Sequence, residues 1–201
     1  MVFNADKKID SIVPVARNEA HKIIEECMLC ANVAAANLLQ ASDRPTLYRV
    51  HEGPKEQKLV NLRDYLGELG LSLKGGDKPS PADYQELMQL IEGRSDAHLI
   101  QVMLLRSLSQ AVYQPDNEGH FGLAYPAYAH FTSPIRRYPD LLVHRAIRSL
   151  VRSKTENEHL TKVAGAAVIA QKRIYPYAMA DVVAQGLHCS MAERRADEAT
   201  R

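Results

Sequence analysis

The interpretation of this 201-residue chain depends on one stretch, Ala127-Tyr128-Ala129-His130-Phe131-Thr132-Ser133-Pro134-Ile135-Arg136-Arg137-Tyr138-Pro139-Asp140. It has no helical period, it is interrupted by proline, and it leads into a predicted helix that begins near Pro139. Arginine offers a planar fork of donors for phosphate oxygens, hydroxyls add neutral donors, and aromatic rings can stack on bases. The stretch therefore predicts a rigid loop before a helix, with side chains suited to a phosphodiester.

The residues that follow this stretch are basic. Residues 136–154 hold six Arg or Lys residues and one acidic residue, a net charge of +5, in a chain whose total is +1. The near-neutral total excludes a uniformly basic nucleic-acid coat and an acidic tail protein, so a site for a polyanion must be local. The alternative interpretation, a solvated basic helix face beside a structural turn, stays open for the helix arginines.

Helical periodicity dominates the N-terminal part of the chain. Apolar residues recur at spacings of three and four over residues 14–40, which predicts a long, largely buried helix. Alternation over residues 47–51 predicts a strand. Three shorter helices follow: one ends at Gly70, one begins at Ser80-Pro81, and one is capped at Ser95-Asp96. The last of these is expected to turn inward its apolar side chains Leu99, Val102, Met103 and Leu105.

The C-terminal part is also predicted to be helical. One helix runs from about Pro139 to Leu150, another covers residues 160–174, and a third follows residues 175–177 as far as Leu187. A final helix is expected to open at Ser190, where Glu193 would complete a capping box. Residues 1–11 show no clear element. The resulting fold class is α+β, predominantly helical with a few short strands.

Three cysteines, Cys27, Cys30 and Cys189, are an odd number in a chain without a signal peptide, which is typical of a reducing cytosol. The C-x2-C spacing of the first two suits zinc or redox chemistry, but no second pair completes a ligand set. We therefore expect buried thiols. The longest apolar run, within residues 163–170, is too short to span a membrane, so we expect a soluble protein. Together with the cysteine pattern, this predicts a cytoplasmic location.

A resemblance to a known family is visible in the block His130-Phe131-Thr132-Ser133-Pro134-Ile135-Arg136-Arg137-Tyr138-Pro139-Asp140-Leu141, followed by His144-Arg145. This block resembles the signature of the RNase II/RNase R family of exoribonucleases, whose catalytic module is the RNB domain. Within the family it is most similar to the bacterial RNase R branch. Further matching segments follow the family's order, at residues 25–32, 47–51, 103–107, 119–123 and 189–197. The resemblance therefore covers essentially the whole chain.

The resemblance implies a processive, hydrolytic 3′-to-5′ exoribonuclease that releases nucleoside 5′-monophosphates. In the family, Mg²⁺ on a cluster of aspartates holds the scissile phosphate. The arginine of the Ser-Pro-x-Arg block stabilises the charge that develops on that phosphate, and here this role falls on Arg136. One of Glu25 or Glu26 matches a family carboxylate near the terminal nucleotide. The residues expected to bind RNA are Thr132, Ser133, Arg137, Tyr138, Glu25, Glu26, His130 and Arg145.

The chain departs from the family at the metal site. The family's metal-binding aspartates precede everything seen here, and the aspartates of this chain form no comparable block. We therefore expect residues 1–201 to be the C-terminal portion of an RNB domain, without its metal-binding part and without cold-shock and S1 modules, and residues 1–11 to be a cut edge. Mg²⁺ is then a cofactor of the full-length enzyme. No metal is expected on this chain, which alone is expected to be inactive.

Fold and partners follow from the same resemblance. The family's RNB domain is a mixed α/β body, so this helical portion would depend on partner strands for burial and would expose an apolar patch. The expected partners are the single-stranded 3′ end of RNA and the remainder of the RNB domain, with no DNA and no membrane. Two alternatives stay open: a non-catalytic RNA-binding or docking module derived from this domain, and a helical structural protein whose arginine-rich loop merely packs.

Overall fold

A computed structural model describes residues 2–14, 16–42, 44–153, 165 and 167–200. Within these ranges the strands are β1 (Val2–Phe3), β2 (Ile9–Ser11), β3 (Tyr48–Val50) and β4 (Val112–Gln114). The helices are α1 (Glu19–Ala41), α2 (Glu56–Glu68), α3 (Pro81–Leu90), α4 (Ala97–Ser107), α5 (Tyr138–Val151), α6 (Gln171–Ile174) and α7 (Met179–Ala199). The strands form two antiparallel pairs, β1 with β2 and β3 with β4. The predicted class, mainly helical with a few short strands, is confirmed.

The main core lies between the C-terminal half of α1 and α5. Small side chains on both helices let their backbones approach: Ala35 and Ala36 on α1 meet Val143 and Ala146 on α5 in one buried cluster. Tyr48 and Val50 of β3, Ala127, Ala129 and Tyr175 complete this cluster. The sequence segment that precedes α5 is therefore anchored in the core before it reaches the surface.

Helices α2, α3 and α4 form a second apolar cluster. Its fully or almost fully buried members include Leu66, Leu87, Ile91 and Ile100. The predicted boundaries are confirmed here: Gly70 follows α2 with φ of 69°, a left-handed conformation that costs glycine little, and Ser80 caps α3 in a capping box with Asp83. The boundary at Ser95-Asp96 is confirmed, since Asp96 immediately precedes α4, but the predicted cap is wrong, because the Asp96 carboxylate makes no capping hydrogen bond and pairs with Arg94.

Helix α7 packs against β4 through small residues. A Cβ atom added to Gly186 would lie 2.6 Å from the carbonyl oxygen of Tyr113, so the helix backbone approaches the strand closely only because this residue is glycine. Ser190 accepts a hydrogen bond from the backbone N–H of Tyr113 at 2.9 Å and donates to the Gly186 carbonyl oxygen. The predicted helix start at Ser190 is therefore wrong, because its hydroxyl pairs β4 with an uninterrupted helix.

Two other expectations about helices need correction. In α4 the buried residues are Ile100, Leu104 and Ser107, whereas Leu99 and Leu105 are 56% and 69% exposed. Helix α4 has apolar side chains on several faces, so periodicity alone does not identify the buried one. Packing against α2 buries a different face from the one expected. For the predicted helix over residues 160–174, residues 160–164 and 166 lie outside the described residues, and within the described part helix begins at Gln171.

The N-terminal half of α1 is exposed, contrary to the expected burial. Ile23 and Ile24 are 62% and 60% exposed, and the buried residues of this helix begin at Asn32. Cys27 and Cys30 are exposed as well and Cys189 is partly exposed, so the expectation of buried thiols is wrong for these residues. The exposed side chains agree with the apolar patch that the sequence predicts.

The segment before α1 forms a strand pair that the sequence did not predict. Asn4 turns the chain between β1 and β2 by accepting hydrogen bonds from the backbone N–H groups of Asp6 and Lys8, each at 3.0 Å. Both strands are exposed. The pair therefore depends on local turn chemistry, which asparagine provides through its side chain.

Candidate functional site

The segment before α5 forms an arginine loop, which we define as residues 127–137. Ala127 and Ala129 fix its start in the core. Between them, the carbonyl oxygen of Tyr128 accepts a hydrogen bond from the backbone N–H of Arg49 on β3 at 2.8 Å. The loop therefore begins from a fixed base beside β3, α1 and α5.

Asn32 of α1 holds the middle of the arginine loop. Its amide oxygen accepts hydrogen bonds from the backbone N–H groups of Phe131 at 2.9 Å and Thr132 at 3.2 Å, while its amide nitrogen donates to the Tyr128 hydroxyl at 2.8 Å. Asn32 is only 3% exposed. A buried polar side chain with several partners is costly to remove, because each partner would lose its hydrogen bond.

Asp140, in the first turn of α5, holds the end of the loop. One carboxylate oxygen accepts from the backbone N–H of Ser133 at 2.7 Å and from the Arg137 guanidinium at 2.8 Å. The Ser133 carbonyl oxygen in turn accepts from the backbone N–H groups of Arg136 and Arg137. Asp140 is completely buried. Residues 133–137 therefore form a turn whose two ends are bound to one carboxylate.

A second α5 residue supports the loop. A ring nitrogen of His144 (Nε2) lies 2.8 Å from the carbonyl oxygen of Phe131, and the two rings are stacked with their centroids 4.2 Å apart. Because Phe131 is thus held from α5 and its N–H group is held from α1, the loop backbone is fixed on both sides.

Three donor side chains of the loop make no hydrogen bond within the described residues. Arg136 is exposed, and its guanidinium has no partner among the described residues. The side-chain hydroxyls of Thr132 and Ser133 likewise have no hydrogen-bond partner in the described part of the chain, although both residues are half-buried. Two neutral donors and one cation therefore share a short, fixed segment, which suits an anionic oxygen ligand.

The side chain of His130 is kept neutral. Its Nδ1 atom lies 2.8 Å from the hydroxyl of Tyr113. Burial, and to a smaller extent the positive charges of Arg137 and Arg49, lower the pKa of His130 to about 3. At neutral pH its ring therefore carries no charge.

Arg49 links the base of the loop to α7. Its guanidinium donates to the carboxylate of Glu193 at 2.6 Å and lies over the Tyr113 ring, 4.6 Å from the ring centroid. The Arg49 side chain is 14% exposed. This cation is therefore neutralised within the protein and serves the packing of β3, β4 and α7.

Arg145 and Tyr138, two further predicted RNA-binding residues, differ in their surroundings. The Arg145 guanidinium donates to the Ile174 carbonyl oxygen at 3.0 Å and to the Tyr177 hydroxyl at 2.6 Å. Tyr138 is 47% exposed and directly follows the arginine loop. Arg145 therefore already joins α5 to the segment after it, while Tyr138 offers an accessible ring. Lys154, at the end of the basic segment, lies outside the described residues.

Glu25 and Glu26 occupy different faces of α1. Glu25 precedes Asn32 by seven residues, close to two helical turns, so the two side chains share a face about 10 Å apart. Glu25 is half-buried and forms an ion pair with Arg17, whereas Glu26 is exposed. Glu25 therefore lies on the face of α1 that meets the arginine loop.

The residues that sequence reasoning missed are the supports of this loop. Asn32, Asp140 and His144 hold its backbone, yet a polar residue in a helical pattern gives no signal of what it contacts. The spacing of Asp140 three residues after Arg137 was visible, because such pairs meet on a helix.

Among the described residues, no three His, Cys, Asp or Glu side chains lie together in a way that could hold a metal ion. The Asp140 carboxylate already binds Ser133 and Arg137. The described residues therefore do not fit a Mg²⁺ site.

Comparison with known proteins gives consistent similarities. Residues 1–153 match the family model of the RNB domain. Ribonuclease R of Vibrio parahaemolyticus is 56% identical over 202 residues, an alignment that covers 100% of this chain and 23% of the relative. The chain therefore spans about a quarter of the length of the curated relatives it matches.

Solved structures are similar as well. Mycoplasma genitalium RNase R in complex with ribose-methylated single-stranded RNA has a TM-score of 0.70 and 26% identity, covering 98% of this chain and 30% of the other. The same enzyme in complex with double-stranded RNA has a TM-score of 0.71 and 26% identity, covering 98% and 34%. Among the described helices, none has the length and hydropathy needed to cross a bilayer.

Proposed function

The chain belongs to the RNB-domain family, and on that premise we propose that it is part of a processive, hydrolytic 3′-to-5′ exoribonuclease that releases nucleoside 5′-monophosphates. In this proposal it supplies the arginine that stabilises the scissile phosphate, together with part of the RNA channel. The observation that carries the proposal is the arginine loop, where Arg136 has no side-chain partner among the described residues and follows Thr132 and Ser133 on a backbone held by buried side chains.

Arg136 is proposed as the catalytic residue of this chain. A phosphoryl-transfer transition state spreads negative charge over the phosphate oxygens, and a donor that is already in place stabilises that charge without reorganisation. The hydrogen bonds of Asn32 and Asp140 provide this preorganisation, because they fix the backbone N–H groups of Thr132 and Ser133, just before Arg136. Loss of one such donor typically lowers the rate by about 10²- to 10³-fold.

RNA binding around Arg136 is assigned to neighbouring side chains. The accessible ring of Tyr138 can stack on a base, and the hydroxyls of Thr132 and Ser133 can donate to phosphate oxygens. Of the two glutamates, Glu25 is proposed to face the terminal nucleotide, because it shares the loop-facing side of α1 with Asn32. His130, Arg137 and Arg145 support this surface, each through contacts within the protein.

The ligand is proposed to be the single-stranded 3′ end of RNA. The similar Mycoplasma genitalium RNase R structures are complexes with single-stranded and double-stranded RNA. The net charge of +5 over residues 136–154 supports a polyanionic ligand here. DNA and membranes are not proposed as partners, and a cytoplasmic location agrees with this function.

The second proposed partner is the remainder of the RNB domain, with residues 1–201 as its C-terminal portion. The exposed side chains Ile23, Ile24 and Met28 of α1 give this partner an apolar surface to cover. They occupy the same helix that carries Glu25 and Asn32, so a domain part seated there would lie next to the arginine loop. Cold-shock and S1 modules are placed outside these residues as well.

Mg²⁺ is proposed to bind the longer protein, outside the described residues. Enzymes of the RNase R family use Mg²⁺, and the described residues of this chain do not fit a site for it. We therefore place the metal-binding aspartates outside residues 1–201. The chain alone is proposed to be inactive.

Hydrolysis of 5′-labelled single-stranded RNA with Mg²⁺ tests this proposal. The 201-residue chain alone should leave the RNA intact, whereas a longer protein that includes the preceding RNB segment should shorten it from the 3′ end. In that longer protein, Arg136→Ala should lower the rate by about 10²- to 10³-fold. Robust Mg²⁺-dependent hydrolysis by the chain alone would show that residues 1–201 themselves bind the metal, contrary to the proposal.

A non-catalytic RNA-binding module is the competing outcome of the same test. It predicts that the longer protein binds RNA but leaves it intact at every Mg²⁺ concentration. A helical structural protein predicts neither binding nor hydrolysis. The exoribonuclease, the RNA-binding module and the structural protein therefore predict three different results with the same RNA.

A further inference from the structure

We propose that Asp140 is a positioning residue that separates the roles of the two adjacent arginines. It binds Arg137 inside the protein and thereby leaves Arg136 as the guanidinium that meets phosphate. This inference rests on the proposed function, because it concerns how the arginine loop presents its charge to RNA.

The hydrogen bonds of Asp140 define the loop geometry. One oxygen of this fully buried carboxylate receives the N–H group of Ser133 at 2.7 Å and the guanidinium of Arg137 at 2.8 Å. The Ser133 carbonyl oxygen receives the N–H groups of Arg136 and Arg137, closing the turn. Asp140 therefore fixes where the turn starts and where its second arginine points.

The same contact removes one positive charge from the surface. The Arg137 side chain is 23% exposed and Asp140 is completely buried, so the pair is poorly screened by water. A neutralised arginine contributes little to the attraction of a polyanion. Arg136 has no anionic partner among the described residues and keeps its full charge. Arg136 and Arg137 thus differ in available charge, because the carboxylate of Asp140 pairs with Arg137 and not with Arg136.

The pair is held by a single hydrogen bond rather than a two-bond fork. The other carboxylate oxygen of Asp140 and the Nε atom of Arg137 are buried with no hydrogen-bond partner in the described part of the chain. Neutralising Asp140 should therefore release the Arg137 guanidinium. A purely structural role, in which the carboxylate only favours the N-terminal end of α5, predicts lower stability but no release.

Chemical modification of arginine tests the inference without RNA. The 201-residue chain is treated with phenylglyoxal, and mass spectrometry follows Arg136 and Arg137 separately. In the protein without substitutions, Arg136 should react with phenylglyoxal about tenfold faster than Arg137, because a charge-assisted hydrogen bond protects Arg137. In Asp140→Asn the reactivity of Arg137 should rise toward that of Arg136.

A matched control is available in Asp96→Asn. Asp96 also pairs with a nearby arginine, Arg94, through two hydrogen bonds of 2.8 Å. This substitution should raise the reactivity of Arg94 and leave that of Arg137 unchanged. If Asp140→Asn fails to fold, as judged by circular dichroism, the comparison of Arg136 with Arg137 in the unmodified sequence decides. Equal reactivity there overturns the inference.

RNA binding gives a second readout. For single strands, each phosphate contact contributes about 0.7 to the slope of log K against log salt concentration. Asp140→Asn should steepen this slope by about 0.7, and adding Arg137→Ala should cancel that gain. An unaltered slope in folded Asp140→Asn overturns the inference, whereas a chain that binds no RNA but shows the modification pattern overturns the proposed function alone.

Discussion

The amide oxygen of Asn32 lies 2.9 Å from the backbone nitrogen of Phe131, joining α1 to the arginine loop across 99 residues of sequence. Because the same side chain also binds Thr132 and the Tyr128 hydroxyl, loop and helix form one unit. The apolar surface of α1 and the outward guanidinium of Arg136 are therefore held in a fixed relationship.

Replacing Asn32 should destabilise the protein. Asn32→Ala would leave two backbone N–H groups and one hydroxyl without their partner, and we expect the free energy of unfolding to fall by about 2 kcal/mol. Asn37→Ala is the matched control, since Asn37 lies exposed on the same helix. Urea unfolding followed by circular dichroism measures both. Equal stabilities of the two variants would show that the Asn32 contacts do not hold the loop.

Acid should destabilise the fold through two histidines. Burial is the main cause that lowers the pKa of His130 to about 3 and that of His120 to about 4. In the unfolded chain both groups would titrate near 6.5. Above that pH both states are neutral and the full stability is present. As pH falls below 6.5 the unfolded state takes up protons that the folded state does not, so stability declines until pH reaches the folded pKa values.

Thermal unfolding between pH 8 and pH 4 checks this pH dependence. The melting temperature should be nearly constant above pH 6.5 and should fall below it. His130→Asn, which keeps a polar side chain without a titrating ring, should reduce that fall. His98→Asn should not, because His98 is exposed. If the melting temperatures of the two variants fell equally below pH 6.5, His130 would not be a cause of the acid destabilisation.

Two glycine substitutions should have opposite effects. Gly186→Ala would place a Cβ atom 2.6 Å from the Tyr113 carbonyl oxygen, so α7 must move away from β4, and we expect a loss on the order of 2 kcal/mol. Gly67, inside α2, has nothing within 4 Å of an added Cβ. Gly67→Ala should therefore stabilise by about 0.5–1 kcal/mol through helix propensity. Denaturant unfolding of both proteins provides the comparison. Stabilisation by Gly186→Ala would mean that α7 does not approach β4 this closely.

Local signals predicted much of the fold. The boundaries at Gly70 and at Ser80-Pro81 depend on backbone conformations and caps that neighbouring residues determine, so the sequence revealed them. Ser190 shows where such signals fail. Its sequence context matches a capping box, but its hydroxyl bonds to Tyr113 of β4, 77 residues away, and tertiary packing keeps the helix continuous.

The candidate site was predictable in its exposed part and unpredictable in its supports. Arg136 and its neighbours were identified because guanidinium and hydroxyl groups before a helix suit phosphate. Asn32 lies within an apolar helical pattern, and the hydrogen bond from the Ser133 backbone to Asp140 has no signal in the sequence. Asn32 bonds to a segment 99 residues away, which neither spacing nor composition reveals. The ion pair of Asp140 with Arg137, in contrast, agrees with their spacing of three residues. The burial of α1 was overestimated for a related reason: its apolar N-terminal half has no covering element among the described residues.

The salt dependence of single-stranded RNA binding tests the central claim most directly. The affinity of the 201-residue chain is measured at several salt concentrations, and the slope is compared with those of Arg136→Ala and Arg106→Ala. Arg106 is an exposed arginine on α4, so its substitution removes the same charge away from the arginine loop. The account predicts weaker binding and a slope smaller by about 0.7 for Arg136→Ala, with no change for Arg106→Ala. Identical slopes for all three proteins would contradict a phosphate-binding role for Arg136.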